Sequence, residues 1–214
     1  RGCRPVGGCR QAIGSQNAVI LTRVGTEDLR EKWDRRYADA PETPPPMAVL
    51  TENAHLLPGR GRALDLACGL GGNALYLARR GLQVSAWDLS PVAVSALAAS
   101  ADGLDLVAEA RDVTADPPPT DRFDVICVGH FLERALCPHI ADALRPGGLL
   151  FYQTFTRERV DDGGPSSAAF RLETNELLRL FPGLILRFYR EEGRIGDTGR
   201  GFRNHAQMVA QRSC

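Results

Sequence analysis

Three aspartates, Asp65, Asp88 and Asp112, each close or follow a short apolar run, and the first of them leads into the turn Gly69-Leu70-Gly71-Gly72. Carboxylates in such places accept hydrogen bonds from hydroxyl and amino groups and attract a cation. Glycines let a ligand approach the backbone closely, and the opening of the helix that follows adds unpaired N–H groups. The spacing Gly69-x-Gly71-x-x-Ala74 formally fits a dinucleotide fingerprint. Asp65 argues against that ligand, because four residues before the first glycine it would lie near a pyrophosphate and repel it. S-adenosylmethionine (SAM) has no phosphate and carries an ammonium beside a sulfonium, so an acid here suits SAM. The alternative is that Asp65 only caps the turn.

Asp88 lies 23 positions beyond Asp65 and ends its strand abruptly on a charge, within Trp87-Asp88-Leu89-Ser90-Pro91. There it is expected to accept both ribose hydroxyls of a nucleoside. Asp112 is expected to accept the adenine amino group while the Val113 N–H reaches a ring nitrogen, unless Asp112 is an ordinary turn residue. His130 follows a strand and has the pKa range of a general base, or serves as a polar wall. Phe131, Thr154 and Arg157 lie where an acceptor would be lined, and Arg157 would favour an anionic one. Trp33 and Tyr37 are either a helix packing stripe or part of a lid.

These residues need elements to gather them. From residue 62 onward apolar strands alternate with helices, the pattern of a parallel sheet covered on both faces. Strands are predicted at 62–67, 83–87, 105–110, 123–129, 149–155, 184–190 and 206–210. Helices are predicted at 73–80, from Ser90-Pro91 onward, around 137–144 and at 174–181, while Pro117-Pro118-Pro119 excludes a long helix after the third strand. Arg145-Pro146-Gly147-Gly148 reads as a turn feeding the fifth strand, and Glu192 to Arg203 as a mobile connector. In such a sheet ligands bind at the carboxyl ends of the strands, which brings Asp65, Asp88, Asp112, Gly129 and His130 together.

Ahead of the sheet, Thr26 is expected to cap a helix carrying Leu29, Trp33 and Tyr37 on one face, and a second helix spans 47–57. Residues 25–58 thus form an N-terminal helical lid and 59–214 the ligand-binding domain. Residues 1–24 are rich in Gly, Arg and Cys, lack periodicity and have no initiating methionine, so they read as a poorly ordered or mis-assigned segment.

Basic and acidic residues balance at 26 each in 214 residues, which does not favour a nucleic-acid footprint, and no apolar stretch approaches a membrane span. The six cysteines, Cys3, Cys9, Cys68, Cys127, Cys137 and Cys214, show neither zinc spacing nor a disulfide framework. They read as reduced cytoplasmic thiols, and no metal is expected.

Leu64-Asp65-Leu66-Ala67-Cys68-Gly69-Leu70-Gly71-Gly72, Ala86-Trp87-Asp88-Leu89-Ser90 and Leu144-Arg145-Pro146-Gly147-Gly148 together resemble the motifs of class I SAM-dependent methyltransferases. The resemblance covers roughly residues 26–212. Within the superfamily the chain is most similar to small bacterial enzymes of the tellurite-resistance type, partly through the helix bearing Trp33 and Tyr37. It implies an α/β, Rossmann-like three-layer sandwich whose seven-stranded, mainly parallel sheet has an antiparallel last strand. By position, Asp65, Ala67, Gly71 and the Cys68-Gly69 backbone hold the amino acid end of SAM, Asp88 the ribose, Leu89 and Asp112-Val113 the adenine, and Gly129 lies beneath the sulfonium. Gly129-His130-Phe131-Leu132 departs from the amino-methyltransferase signature, which argues against adenine or glutamine N-methylation.

The expected function is methyl transfer from SAM to a small-molecule acceptor, with a thiol or chalcogen oxyanion in view because a soft nucleophile needs no dedicated base. The alternatives are a SAM-binding sensor or partner subunit without turnover, or a protein or RNA methyltransferase. Oligomeric state is not legible.

Overall fold

The computed structural model describes residues 15–40 and 42–214, with only the backbone for 15–24. Of the segment expected to lack order, residues 1–14 lie outside the described residues, as do Cys3 and Cys9. Seven strands form one sheet: β1 (Arg62–Leu66), β2 (Gln83–Asp88), β3 (Leu106–Ala110), β4 (Phe123–Gly129), β5 (Leu144–Phe155), β6 (Ile185–Glu191) and β7 (His205–Gln211). Their order is β3-β2-β1-β4-β5-β7-β6, and β7 runs antiparallel to both its neighbours. The predicted mainly parallel sheet with an antiparallel last strand is therefore present.

Side chains alternate between the two faces at a period of two, and both faces are covered, as a parallel sheet requires. Leu64, Leu66, Ile126, Val128, Leu150 and Tyr152 point into one core, closed by α5 (Cys137–Ala143) and α6 (Glu176–Leu180). Ala63, Val84, Ala86, Val125, Cys127 and Phe151 point into the other. That core is closed by α2 (Ala48–Glu52), α3 (Gly72–Arg79) and α4 (Pro91–Ser100). Asp65 shares the second face and is therefore aimed at the start of α3.

The crossover from β3 to β4 has no helix, because the three prolines deny it backbone donors. The sheet is consequently open there: Val107 is 58% exposed, and a recess of about 510 Å³ is lined by Arg62, Trp87, Arg111 and Arg122 among others.

Four local expectations need correction. The first helix does not start at Thr26; α1 runs Ser15–Ala38, since Gly25 lowers helix propensity without stopping a helix. Its packing stripe is only partly covered: Leu29 is 44% exposed, whereas Trp33 and Tyr37 are half-buried. The second helix breaks after Glu52, where Asn53 turns its side-chain amide back to the Val49 carbonyl at 3.0 Å and a 3₁₀ turn, Ala54–Leu56, follows. Arg145-Pro146-Gly147-Gly148 is not a free turn but the irregular first part of β5, paired to β4 through a register shift between Phe123 and Val125.

Candidate functional site

The carboxyl ends of β1, β2 and β4 meet as the strand order requires. After β1 the backbone enters the left-handed region at Ala67, Gly69 and Gly71, with φ of 55°, 52° and 81°. The Cys68 N–H donates to the Trp87 carbonyl at 3.0 Å, and the Gly71 N–H to the Cys68 carbonyl at 2.9 Å. Glycine also leaves room for a neighbouring side chain at two of these places. A Cβ on Gly71 would run into Leu97, and one on Gly69 would lie 2.9 Å from the Tyr37 hydroxyl.

Asp65 is completely buried beneath this turn. It accepts the Ala74 N–H at 3.0 Å and the Asn73 side-chain amide at 3.2 Å, which ties β1 to the first turn of α3. Asp88 accepts Gly69 N–H at 2.8 Å and Ser90 N–H at 2.9 Å. Burial pushes both carboxyls up, Asp65 to about 7, against the opposing pull of those hydrogen bonds. Each sees the other's negative charge or that of Asp34, and among the described residues every hydrogen-bond donor to them is neutral. Two buried acids with spare lone pairs and no cation are a site that a cationic group would complete.

Beside Leu89 a cleft of about 200 Å³ opens between Pro91, Ala110 and Asp112 on the sheet side and Thr26, Glu27 and Arg30 of α1. That is room for a flat base rather than a whole cofactor. Asp112 accepts both the N–H and the hydroxyl of Thr114, at 3.0 and 2.6 Å, and Val113 is buried. Helix α1 lies across these ends. Asp34 accepts the Ser90 hydroxyl, Trp33 stacks on Tyr37 at 5.6 Å, and the Tyr37 hydroxyl sits on Gly69. Burial and the nearby Asp88 raise the Tyr37 pKa, so its hydroxyl stays protonated.

On the β4 side, Gly129 faces the Asn73 amide and the Met47 sulfur. His130 has φ 55° and packs against Phe155 and His205, ring centres 5.1 and 5.3 Å away. Burial and the His205 charge lower its pKa to about 4, so it is neutral at pH 7. The Phe131 carbonyl accepts the Tyr152 hydroxyl, and the Thr154 hydroxyl is buried without a partner. Arg157 departs from the expected role: it pairs with Glu173 at 2.7 Å, which satisfies the charge that was to favour an anionic acceptor. The buried cation nearby is Arg171, whose guanidinium donates to the carbonyls of Thr156, Gly163 and Pro165.

Sequence reasoning missed Asp34, Asn73, Arg171 and His205. Asn73 links Asp65 to the Met47 N–H, and that pairing had no local signal. His205 is the polar first residue of β7, which marks a strand end but not the neighbours that the strand brings to it. Among the described residues no three His, Cys, Asp or Glu side chains gather as a metal site, and no helix is long and apolar enough to cross a membrane.

The fold is the Rossmann-like methyltransferase fold. Residues 63–148 match a methyltransferase domain family. The chain is similar to the ubiquinone biosynthesis O-methyltransferase of Xanthomonas axonopodis pv. citri, 33% identical over 58% of this chain and 56% of that one. It is also similar to the protein of the same name from Stutzerimonas stutzeri, 28% identical over 70% of this chain and 66% of that one. It thus spans little more than half the length of the first of these relatives. Among solved structures, one described for the conversion of a disulfide bond into a thioacetal group during echinomycin biosynthesis is 26% identical. That likeness has a TM-score of 0.65 and covers 86% of this chain and 92% of that one. TehB from Haemophilus influenzae, 21% identical, has a TM-score of 0.66 over 85% and 67% of the two chains, and shares the fold.

Proposed function

We propose that this protein is a SAM-dependent methyltransferase acting on a small-molecule acceptor. The observation that carries the proposal is the pair Asp65 and Asp88: buried, beside a glycine turn, and without a cation. The ammonium end of SAM would lie toward Asp65 and the Cys68-Gly69 backbone, the ribose on the free lone pairs of Asp88, and the adenine in the cleft at Leu89, Asp112 and Val113. Tyr37 and Asp34 would close α1 over it. When bound, SAM supplies an electrophilic methyl group on a sulfonium. The chain contributes alignment and exclusion of water, and proximity gives most of the acceleration in such a displacement.

The tellurite-resistance-type assignment enters the same proposal as a likeness of architecture alone, supported by the shared TehB fold and the aromatic pair Trp33–Tyr37, and does not extend to the acceptor. For the acceptor, we favour a hydroxyl over a chalcogen oxyanion. The relatives named for ubiquinone biosynthesis are O-methyltransferases, and Arg157 is already paired. Cys68, Cys127 and Cys137, free and buried, support a reducing compartment, which we take to be the cytoplasm.

Calorimetric titration with SAM and with NADH tests the cofactor, and conversion of SAM to S-adenosylhomocysteine across a catechol, thiol, tellurite and amine panel tests the activity. Tight SAM binding without turnover on any acceptor would replace this reading with a SAM-binding sensor.

A further inference from the structure

His205 is the first residue of β7 and stands opposite Phe155 in the β5–β7 register, which brings it to the same carboxyl edge as His130. Its Nδ1 lies 2.9 Å from the Arg203 carbonyl. A carbonyl only accepts, so Nδ1 carries the proton and Nε2 is left with its lone pair. That Nε2 is buried and has no hydrogen-bond partner. Around it stand rings, Phe155 at 4.4 Å, Phe202 at 5.4 Å and His130 at 5.3 Å between centres. A buried acceptor without a donor is costly, and each one calls for an explanation, a catalytic role among them.

We infer that the hydroxyl of an aromatic acceptor, a phenol or catechol, docks on His205 Nε2 among these rings and gives up its proton there; this rests on the methyltransferase reading above. The acceptor O–H bond breaks toward Nε2 and an O–CH₃ bond forms. The methyl–sulfur bond breaks with its electron pair left on sulfur, and the imidazolium passes its proton to water. His130 packs against Phe155 and His205 and is one of the surrounding rings. The charged and titratable groups facing His205 are His130, Arg171 and Asp161; burial, with Arg171, keeps the imidazole neutral and able to accept. Phe202 must turn aside to admit the acceptor. Its segment is folded on Glu192, which accepts the Phe202 N–H at 3.0 Å, and on Arg203, which donates to the carbonyls of Gly193, Asp197 and Arg200.

The test compares catechol with thiophenol, largely thiolate already near neutral pH and in no need of a base. Asparagine keeps a donor near the Nδ1 position and lacks the second nitrogen. H205N is therefore expected to lower the catechol-to-thiophenol ratio of kcat/KM on the order of 100-fold, the low end of general-base effects. A ratio within about threefold of wild type overturns the inference, because a merely structural role moves both acceptors together. In wild-type protein labelled with ¹⁵N-histidine and loaded with S-adenosylhomocysteine, catechol is expected to shift the His205 Nε2 resonance. A resonance unmoved by excess catechol overturns the inference even if H205N does not fold. Protein that binds SAM and methylates thiophenol but never catechol refutes this inference alone, whereas protein that binds no SAM refutes the methyltransferase reading as well.

Discussion

Asp88 Oδ2 accepts the backbone N–H of Gly69 at 2.8 Å, so the carboxylate that ends β2 also holds the turn that follows β1. Its other oxygen holds Ser90 N–H, at the cap of α4. If Asp88 holds the cofactor as proposed, its binding and the shape of the turn are coupled through one side chain. Asp88→Ala is expected to weaken SAM binding by about 1–3 kcal/mol and to lower the stability of the apo protein by a similar amount, since Gly69 N–H is left unpaired. Calorimetry and thermal unfolding on the same sample check both. A change in one without the other would separate what the geometry joins.

The buried Asp65 gives the apo protein a pH dependence whose sign is fixed. Its pKa in the fold, about 7, lies above its ordinary 3.8, so the folded state binds more protons than the unfolded state between these values. The contribution of Asp65 to stability is then largest below about pH 4 and is lost as pH rises to 7, by an amount on the order of a few kcal/mol. A bound cation favours the carboxylate, so SAM affinity should move the opposite way and rise through pH 7. Urea unfolding at pH 5 and 7.5 is expected to show the first trend and lose it in Asp65→Asn. An unchanged slope in that variant would assign the trend elsewhere.

Much of this site was legible because the residues that build it are local. A strand that is buried on both faces reads as an apolar run, and a charge at its end reads as an edge, which located Asp65 and Asp88. Ser90-Pro91 announced α4 correctly, and the Ser90 hydroxyl does accept Ala93 N–H at 3.2 Å. What failed depended on distance in the chain. Nothing near His205 tells that β7 inserts between β5 and β6 and delivers it beside Phe155. Likewise, Asp34 finds Ser90 only because α1 packs along α4.

That Asp34–Ser90 contact would latch α1 if the helix closes over the cofactor as proposed. Asp34→Ala is expected to leave the sheet intact and to speed SAM release roughly two- to tenfold, the size of one partly exposed hydrogen bond. It should also raise amide exchange in residues 25–38. Stopped-flow displacement and hydrogen exchange measure the two, and unchanged release would mean that α1 does not gate the site.

His130 carries a backbone constraint that its chemistry does not explain. Its φ of 55° puts a non-glycine residue in the left-handed region at the end of β4, directly after Gly129. Its N–H is fixed there by the Gln153 carbonyl at 2.8 Å, which continues the β4–β5 ladder one step past the strand. Asparagine tolerates this conformation and valine does not, because a β-branched side chain crowds the backbone. His130→Asn is therefore expected to stay within about 1 kcal/mol of wild-type stability and His130→Val to lose roughly 1–3 kcal/mol more. His130 is also neutral above about pH 4, so His130→Asn should leave any break in the pH–rate profile between pH 6 and 8 where it was. If the valine variant proves as stable as the asparagine one, the left-handed turn after β4 is not a constraint of the fold, and the ring it holds against Phe155 and His205 is free to move.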